Sequence, residues 1–351
     1  MSIEKFTDDE LVIRETGVNF RGQKTQIFST PITPRENYSL LYGGKTPMWI
    51  PYNTDEMAAT RIDCDPEDAA RSPSGGIDGY GVEWIWVDVA GGAMVRPGAP
   101  KVPDITHWED YITVPDPDSW DWEASYERNK HKFSPDKFTF VSTSSCLFER
   151  MIAVMDFAEA AMALIDDEQK ESVHRFLRAI TDVKKKFYKN CKKYYHADMV
   201  NFNDDWGSQR AEFFSYNTAR EMLFPYVKEL GDYVHSLGMY FDLHSCGFVE
   251  SLVPLFVEEG FNSWGGQPMN DKSRLKKEYG DKMLFTFNVP LTDESTNEDV
   301  DRILDGLFAD MGEDNRVLIA CPVENAYFRK QLYARSRMNY DRLVAEGKAV
   351  L

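Results

Sequence analysis

The sequence predicts an α/β fold, a (β/α)8 or TIM barrel, in which residues 1–351 form a single domain. Three observations support this prediction. Eight short apolar or β-rich runs recur along the chain, helical patterns separate most of them, and one such barrel can occupy 351 residues. An open doubly wound sheet is the alternative, although no Gly-x-Gly-x-x-Gly turn follows the first run to favour dinucleotide binding.

The runs are predicted to be the barrel strands, in chain order: residues 48–52, 82–87, 138–142, 199–203, 239–243, 261–264, 283–287 and 316–320. Residues 1–45 are expected to form an N-terminal extension. Helices are predicted where apolar residues recur at i, i+3 and i+4, in residues 148–164, 171–188, 218–237, 250–259 and 298–311. The Gly- and Pro-rich stretches 72–81 and 91–100 are predicted to be loops.

The composition restricts the classes of partner. Hydrophobic residues make up 42% of the chain, which is enough for a large core, and the net charge is −18. Nucleic-acid binding requires clusters of Lys and Arg that neutralise phosphates, so this charge argues against it. The same charge argues against an anionic membrane surface.

The sequence also predicts a location in the cell. No apolar run approaches the ~18 residues that a membrane-spanning helix requires. The first ten residues are polar and acidic, unlike a signal peptide. The five cysteines are therefore expected to be reduced thiols in the cytoplasm. Three of them are assigned no role: Cys64, Cys146 and Cys191.

A His-x-Cys pair and a distant cysteine predict a metal site. His244 and Cys246 follow the fifth predicted strand, and Cys321 follows the eighth. Two thiolates and one imidazole form a ligand set for catalytic zinc, with a fourth position open to substrate. The carboxyl ends of barrel strands meet on one face, where active sites of this fold lie. The alternative is two buried cysteines and a hydrogen-bonded histidine.

Other polar and aromatic residues are predicted on the same face. They are Tyr52 and Asn53 after the first strand, Asn203, Asp204, Asp205 and Trp206 after the fourth, Gln267 after the sixth, Asn288 after the seventh, and Glu324 and Asn325 after the eighth. Each could instead cap a helix or close a turn. Aromatic rings could stack on a flat substrate, or they could simply fill the core: Tyr52, Trp84, Trp86, Trp206 and Trp264.

These motifs resemble the uroporphyrinogen decarboxylase superfamily, and more closely its zinc-dependent, corrinoid-linked methyltransferase branch. The resemblance covers nearly the whole chain. Residues 33–38 look like the first helix of the family, residues 48–51 like its first strand, and residues 203–209 like its strand-four motif. His244, Cys246 and Cys321 match the His-x-Cys…Cys zinc ligands of the methyltransferase branch. Glu83 aligns with a segment that carries a catalytic acid in the decarboxylases.

Two departures separate the chain from the decarboxylases of that superfamily. Decarboxylases carry an Arg-rich loop after the first strand, whereas residues 52–56 here read Tyr-Asn-Thr-Asp-Glu. An acidic loop would repel a substrate that carries many carboxylates. Cys321 also stands where the decarboxylases have a histidine. The resemblance therefore favours methyl transfer over tetrapyrrole decarboxylation.

The resemblance implies Zn²⁺ in the chain and a corrinoid, cobalamin, carried by a partner protein. In the favoured direction, a methoxylated aromatic donor passes its methyl group to cob(I)alamin. A phenolate with a conjugate-acid pKa near ~10 is a better leaving group than an alkoxide, and Asp205 or Glu83 could supply a proton. Glu83 could also be the fourth zinc ligand. Predicted substrate contacts are Tyr52, Trp84, Asn203, Trp206, Gln267 and Asn288.

Other functions remain open at this stage. The reverse direction, from a methyl-corrinoid protein to a zinc-bound thiol, would use the same ligands. A scaffold with structural zinc is the non-enzymatic alternative, although structural sites usually have four protein ligands. The sequence leaves the methyl donor and the oligomeric state open.

Overall fold

The computed structural model describes residues 5–18, 23–52 and 56–349. Asn53 and most of the acidic loop after the first predicted strand lie outside these residues. The strands are β1 Ile13–Val18, β2 Lys24–Phe28, β3 Met57–Thr60, β4 Gly76–Ile77, β5 Glu83–Val87, β6 Gly92–Val95, β7 Phe138–Val141, β8 Met199–Asn203, β9 Tyr240–His244, β10 Ser263–Trp264, β11 Leu284–Asn288 and β12 Leu318–Ala320.

The α-helices of the described residues fill most of the intervals between strands. They are α1 Pro34–Tyr42, α2 Pro66–Ala70, α3 Trp122–Asn129, α4 Phe148–Met155, α5 Phe157–Ala163, α6 Lys170–Tyr195, α7 Tyr216–Met222, α8 Phe224–Ser236, α9 Val253–Glu258, α10 Lys272–Tyr279, α11 Asn297–Met311 and α12 Ala326–Ala345. Among them, none is both long and apolar enough to cross a bilayer.

The chain divides into two compact units. Unit 1 comprises Met1–Ala59, Lys132–Thr139 and Asn262–Leu351, and unit 2 comprises Thr60–His131 and Phe140–Phe261. The boundaries fall within β3 and β7, so each unit contains segments that are distant in sequence.

Unit 1 contains three parallel strands and the N-terminal hairpin. β10 pairs with β11 and β11 pairs with β12, all in parallel. Tyr52 forms an isolated parallel bridge to Ile319 of β12. β1 and β2 pair in antiparallel fashion. The hairpin and α12 enclose a core in which Phe28, Trp49 and Tyr333 pack against one another, with ring centroids 5.5 and 5.6 Å apart.

Unit 2 holds the strands that carry the predicted His-x-Cys motif. β7 pairs with β8 and β8 with β9, again in parallel. The register of the second pair runs from Met199 opposite Tyr240 to Asn203 opposite His244. The loops that follow these two strands therefore start side by side.

Parallel strands followed by helices in both units confirm the predicted α/β barrel class, but two strand predictions are wrong. Residues 82–87 form β5 of a three-stranded antiparallel sheet with β4 and β6. The strand beside β7 is instead β3, whose residues are mostly buried, as is typical of parallel strands. Residues 48–52 form no strand apart from the bridge at Tyr52.

The loop and helix predictions need smaller corrections. The two Gly-rich stretches contain β4 and β6, which both pair with β5. A turn with Gly91 at φ 64° joins β5 to β6. The helix predicted at 148–164 is two helices, because Asp156 between them adopts a left-handed φ of 71°. α6 extends to Tyr195, and α12 has no counterpart in the prediction.

Candidate metal centre

The candidate centre lies where the loops after β8 and β9 meet in unit 2. The backbone N–H of Asp204 donates to the carbonyl of His244 at 3.1 Å, which continues the pairing of the two strands by one residue. Further along, the N–H of Phe248 donates to the carbonyl of Ser208 at 2.7 Å. The two loops are therefore held together by main-chain bonds on both sides of His244, Cys246 and Asp205.

Two glycines allow this close approach. Gly247 has φ +91°, and a Cβ on it would lie 2.1 Å from the carbonyl oxygen of Gly207. A Cβ on Gly207 would lie 2.7 Å from the side chain of Val249 and 2.9 Å from the carbonyl oxygen of Phe248. Any side chain at either position would separate the loops, because backbone atoms cannot yield as a flexible side chain can.

Three potential ligand atoms converge at this junction. Among the described residues, Asp205, His244 and Cys246 offer one oxygen, one nitrogen and one sulfur, all within 4.8 Å of one another. The Cys246 Sγ lies 3.5 Å from His244 Nε2, and that nitrogen lies 3.9 Å from Asp205 Oδ1. The side chains of His244 and Asp205 are 42% and 32% exposed, so solvent and small molecules can reach them.

The backbone fixes Cys246 relative to Asp205. The N–H of Cys246 donates to Asp205 Oδ1 at 2.7 Å, and the N–H of Trp206 donates to the hydroxyl of Ser245 at 3.1 Å. Each loop thus accepts a backbone N–H of the other through one side chain, Asp205 in the first loop and Ser245 in the second. The cluster is held in place before any metal binds.

The protonation states suit a metal site. Burial lowers the pKa of His244, and the charge of Arg61 lowers it further against the opposing effect of Asp205. The imidazole is therefore neutral at neutral pH, which is the form that binds metal. Burial raises the pKa of the Cys246 thiol to about 12, with a contribution from Asp205. A metal that displaced this proton would have thiolate, imidazole and carboxylate donors, a set that suits Zn²⁺.

The neighbours of Asp205 in the strand-four motif have structural contacts. Asp204 is fully buried, and its carboxylate accepts the N–H groups of Phe148 and Glu149 at the start of α4, at 2.9 and 2.7 Å. It also accepts the indole N–H of Trp206. Trp206 is fully buried, and its role as a ring that stacks on substrate stays a prediction.

Glu149 is a member of this region that the sequence did not indicate. Its Oε2 accepts a hydrogen bond from the Nδ2 of Asn203 at 3.0 Å, and Asn203 is a predicted substrate contact. Burial raises the pKa of Glu149 well above its usual range, and the charges of Asp205 and Asp204 raise it further. This shift favours the protonated form of the carboxyl group. Glu149 lies in an amphipathic helix, where a single acidic residue carries no signal.

Cys321 lies in unit 1 within a different set of contacts. Its Sγ donates to the carbonyl of Val323 at 3.1 Å, and it also bonds the hydroxyl of Tyr52. Tyr52 is buried under the guanidinium of Arg329, which lies 4.1 Å from the ring centroid. Burial raises the Tyr52 pKa, with the charges of Cys321 and Glu324 next in importance. The role of Cys321 as a zinc ligand stays a prediction.

Two predicted site residues of β5 have other partners. Glu83 is about half exposed and pairs with Arg96 through two hydrogen bonds of 2.7 and 2.8 Å. These bonds lower the Glu83 pKa, whereas a general acid requires a raised one. Trp84 is buried, donates its indole N–H to Asp78, and lies under the guanidinium of Arg71. The roles of Glu83 as an acid or fourth ligand and of Trp84 as a substrate contact stay predictions.

The remaining predicted substrate contacts lie in unit 1. Gln267 is partly buried, and its backbone carbonyl accepts a hydrogen bond from the ammonium of Lys272 at 2.9 Å. Asn288 is exposed at the carboxyl end of β11. Neither position tests the proposed contact with substrate.

Comparison with known proteins supports the fold. No protein-family model matches this sequence, and no curated protein matches it. The structure is similar to that of a methyltransferase from Methanosarcina mazei, with a TM-score of 0.58 and 13% identity over 89% of this chain and 99% of the other. The predicted resemblance to a methyltransferase is confirmed at the level of the fold.

Weaker similarities exist to two sugar-converting enzymes. A sugar phosphate isomerase/epimerase from Parabacteroides distasonis has a TM-score of 0.28 and 9% identity over 68% of this chain and 79% of the other. A D-psicose 3-epimerase has a TM-score of 0.31 and 10% identity over 64% of this chain and 81% of the other. Neither similarity is high enough to inform the function.

Proposed function

We propose that this protein is a metal-dependent methyltransferase whose metal is held by His244 and Cys246 together with Asp205. The convergence of these three donors within 4.8 Å is the observation that carries the proposal. The fold likeness to a protein described as a methyltransferase supports the reaction class.

Zinc is the metal that these donors favour. Sulfur and nitrogen ligands select against Mg²⁺ and Ca²⁺, and a carboxylate oxygen is compatible with Zn²⁺. Bound zinc would act as a Lewis acid that polarises the group carrying the methyl. His244 contributes a neutral imidazole without having to lose a proton. Cys246 must lose its thiol proton. The hydrogen bond from its backbone N–H to the Asp205 carboxylate holds the residue in place as it does so.

The proposed methyl donor is a methoxylated aromatic compound, and the acceptor is the cob(I)alamin of a partner corrinoid protein. The bond between the methyl carbon and the ether oxygen breaks, and the cobalt electron pair forms the new bond to carbon. The phenolate that leaves takes one proton. Glu149 is the proposed proton source in place of Glu83, because burial raises the pKa of its carboxyl group well above the usual range and the Nδ2 of Asn203 donates to its Oε2.

One segment of this chain bears on where the corrinoid binds. Residues 242–247 read Asp-Leu-His-Ser-Cys-Gly. This spacing fits the Asp-x-His-x-x-Gly pattern associated with cobalamin binding. The match is six residues long, and the His244 Nε2 here lies beside Cys246 and Asp205. We therefore assign His244 to the metal and the corrinoid to a partner. The chain purified alone should carry no cobalamin, and a stoichiometric complex would reverse this assignment.

Metal analysis combined with a methyl-transfer assay tests the proposal. The protein is purified anaerobically, its metal content is measured, and free cob(I)alamin is offered with methoxylated aromatics, methanol or methylamines while the cobalt spectrum is followed. We expect about one zinc per chain and loss of cobalt(I) only with a methoxylated aromatic. Activity only from methylcobalamin to a thiol would establish the reverse direction. A metal-free protein without activity would contradict the proposal.

Glu149→Gln separates the proton source from the metal site. Gln keeps the size of the side chain and can still bond Asn203, but it has no proton to give. We expect unchanged zinc content with turnover reduced about 100-fold, a loss typical for removal of a general acid. The deficit should shrink for donors whose phenols are more acidic, because these need less protonation. An equal deficit for all donors would contradict the assigned role.

A further inference from the structure

A cavity in unit 1 lies at the opposite end of the parallel strands from Tyr52 and Cys321. Its volume is about 260 Å³, and its lining includes Asn262, Met283 and Arg316. Asn262 and Met283 directly precede β10 and β11, and Arg316 stands two residues before β12. Active sites of barrels lie at the carboxyl ends of strands, so this cavity is away from the face where the active site is predicted.

Arg316 in this cavity has an unusual environment. The side chain is partly buried, and its Nε is enclosed without a hydrogen-bond partner. Within the described residues its guanidinium forms no ion pair, whereas Arg329, Arg335 and Arg337 of the same unit each pair with a carboxylate at 2.6–2.9 Å. An enclosed guanidinium N–H without a partner is costly, so such groups are normally paired.

A second cation lines the same cavity. Lys282 is exposed, and its ammonium has no ion-pair or hydrogen-bond partner in the part of the chain that the structure describes. Asp281 contributes one exposed carboxylate to the lining. The nearby Asp314 carboxylate already accepts the ammonium of Lys276 at 2.7 Å and the backbone N–H of Arg316 at 2.9 Å. Two cations against one acid leave a positive cavity in a chain with net charge −18.

We propose that this cavity binds the phosphate or carboxylate group of a small anion. The planar guanidinium of Arg316, which lines the cavity, matches the two oxygens of either group. Lys282 would add a second charge-assisted bond from the rim.

Thermal unfolding at constant ionic strength tests the site. The midpoint temperature of the full chain is measured in sodium chloride, with part of the salt replaced by inorganic phosphate or by succinate. Ligands that bind only the folded state raise this midpoint. We expect a rise of about 2 °C or more with at least one of the two anions. Phosphate alone, succinate alone or both would identify the group that the cavity accepts.

Matched variants assign the effect to the cavity. Arg316→Gln and Lys282→Gln should each weaken the apparent affinity about tenfold, as expected for loss of a charge-assisted hydrogen bond. Arg274→Gln removes an exposed arginine that pairs with Glu278 in the same unit, and should leave the affinity unchanged. If Arg316→Gln fails to fold, Lys282→Gln decides, because that side chain is exposed. No rise beyond chloride, or an equal rise in the cavity variants, would overturn the site.

Discussion

Cys246 and Cys321 carry the same prediction from sequence, because each follows an apolar strand and both match the ligand pattern of one family. Their surroundings differ. Cys246 lies within 3.5 Å of an imidazole nitrogen and beside Asp205. Cys321 donates to a main-chain carbonyl and bonds a tyrosine hydroxyl. A thiol at the end of a strand is therefore not sufficient for a metal site. A second ligand atom must come from a neighbouring loop of the same unit.

Strand register explains why Cys246 has such a neighbour. Asn203 and His244 end adjacent parallel strands at the same level, so the next residues of each loop start together. Gly207 and Gly247 then let the loops touch, and Asp205 reaches the Cys246 N–H. The predictions that follow compare the two thiols, and they run from the largest expected effect to the smallest.

Cys246→Ser should abolish zinc binding at ordinary concentrations. Loss of residues that merely support metal ligands already costs 10–100-fold in affinity, so loss of a ligand should cost about 100-fold or more. Zinc titration against a competing chelator measures the effect. Cys64→Ser is the matched control, since it removes a half-buried thiol of the same unit that is outside the cluster. Wild-type affinity in Cys246→Ser would remove the basis of the proposed site.

Cys321→Ser shows whether the second thiol is equivalent to the first. If it is a ligand, as the family resemblance implies, zinc affinity should fall about 10-fold to 100-fold. The metal-free protein should lose little stability, because serine can still donate to the carbonyl of Val323. Chelator competition and denaturant unfolding measure the two effects. Unchanged zinc affinity would limit the ligand set to Asp205, His244 and Cys246.

Sequence reasoning succeeded where one local pattern determined the structure. Short apolar runs predicted β8, β9 and β11, and the His-x-Cys spacing placed two candidate ligand atoms side by side. It failed at β3, where Met-Ala-Ala-Thr is too short and too weak in β propensity to stand out. It also failed at β5, whose Trp- and Val-rich sequence is typical of any strand and does not distinguish a barrel from an antiparallel sheet.

The site could be predicted only as far as neighbours in sequence determine it. Glu149 reaches Asn203 from α4, and Asp204 caps that helix. Such contacts depend on tertiary packing that no single segment encodes. Trp206 is a further example. Its place in a polar motif gives no sign of the apolar rings that fully bury it.

Asp205→Asn should weaken zinc binding by about tenfold, less than Cys246→Ser. Asn keeps an oxygen that can accept the Cys246 N–H, but it loses the negative charge that attracts the metal. Asp204→Asn is the control next to it in sequence. Asp204 caps α4 and should affect unfolding rather than zinc affinity. Equal zinc affinities in wild type and Asp205→Asn would exclude the carboxylate from the ligand set.

The pH dependence of zinc affinity shows how many thiols bind the metal, because each ligating thiol releases one proton. The pKa of Cys246 is raised to about 12, so this thiol is protonated at neutral pH and must release its proton to the solvent when zinc binds. The lowered pKa of His244 means that its imidazole is already neutral there and adds no proton. With Cys246 alone, the apparent affinity should rise about tenfold for each pH unit between 7 and 8. A second ligating thiol would make the slope steeper, approaching about 100-fold per unit well below its own pKa. Cys246→Ser should remove one proton from this count, and a wild-type affinity that falls as pH rises would contradict thiolate ligation altogether.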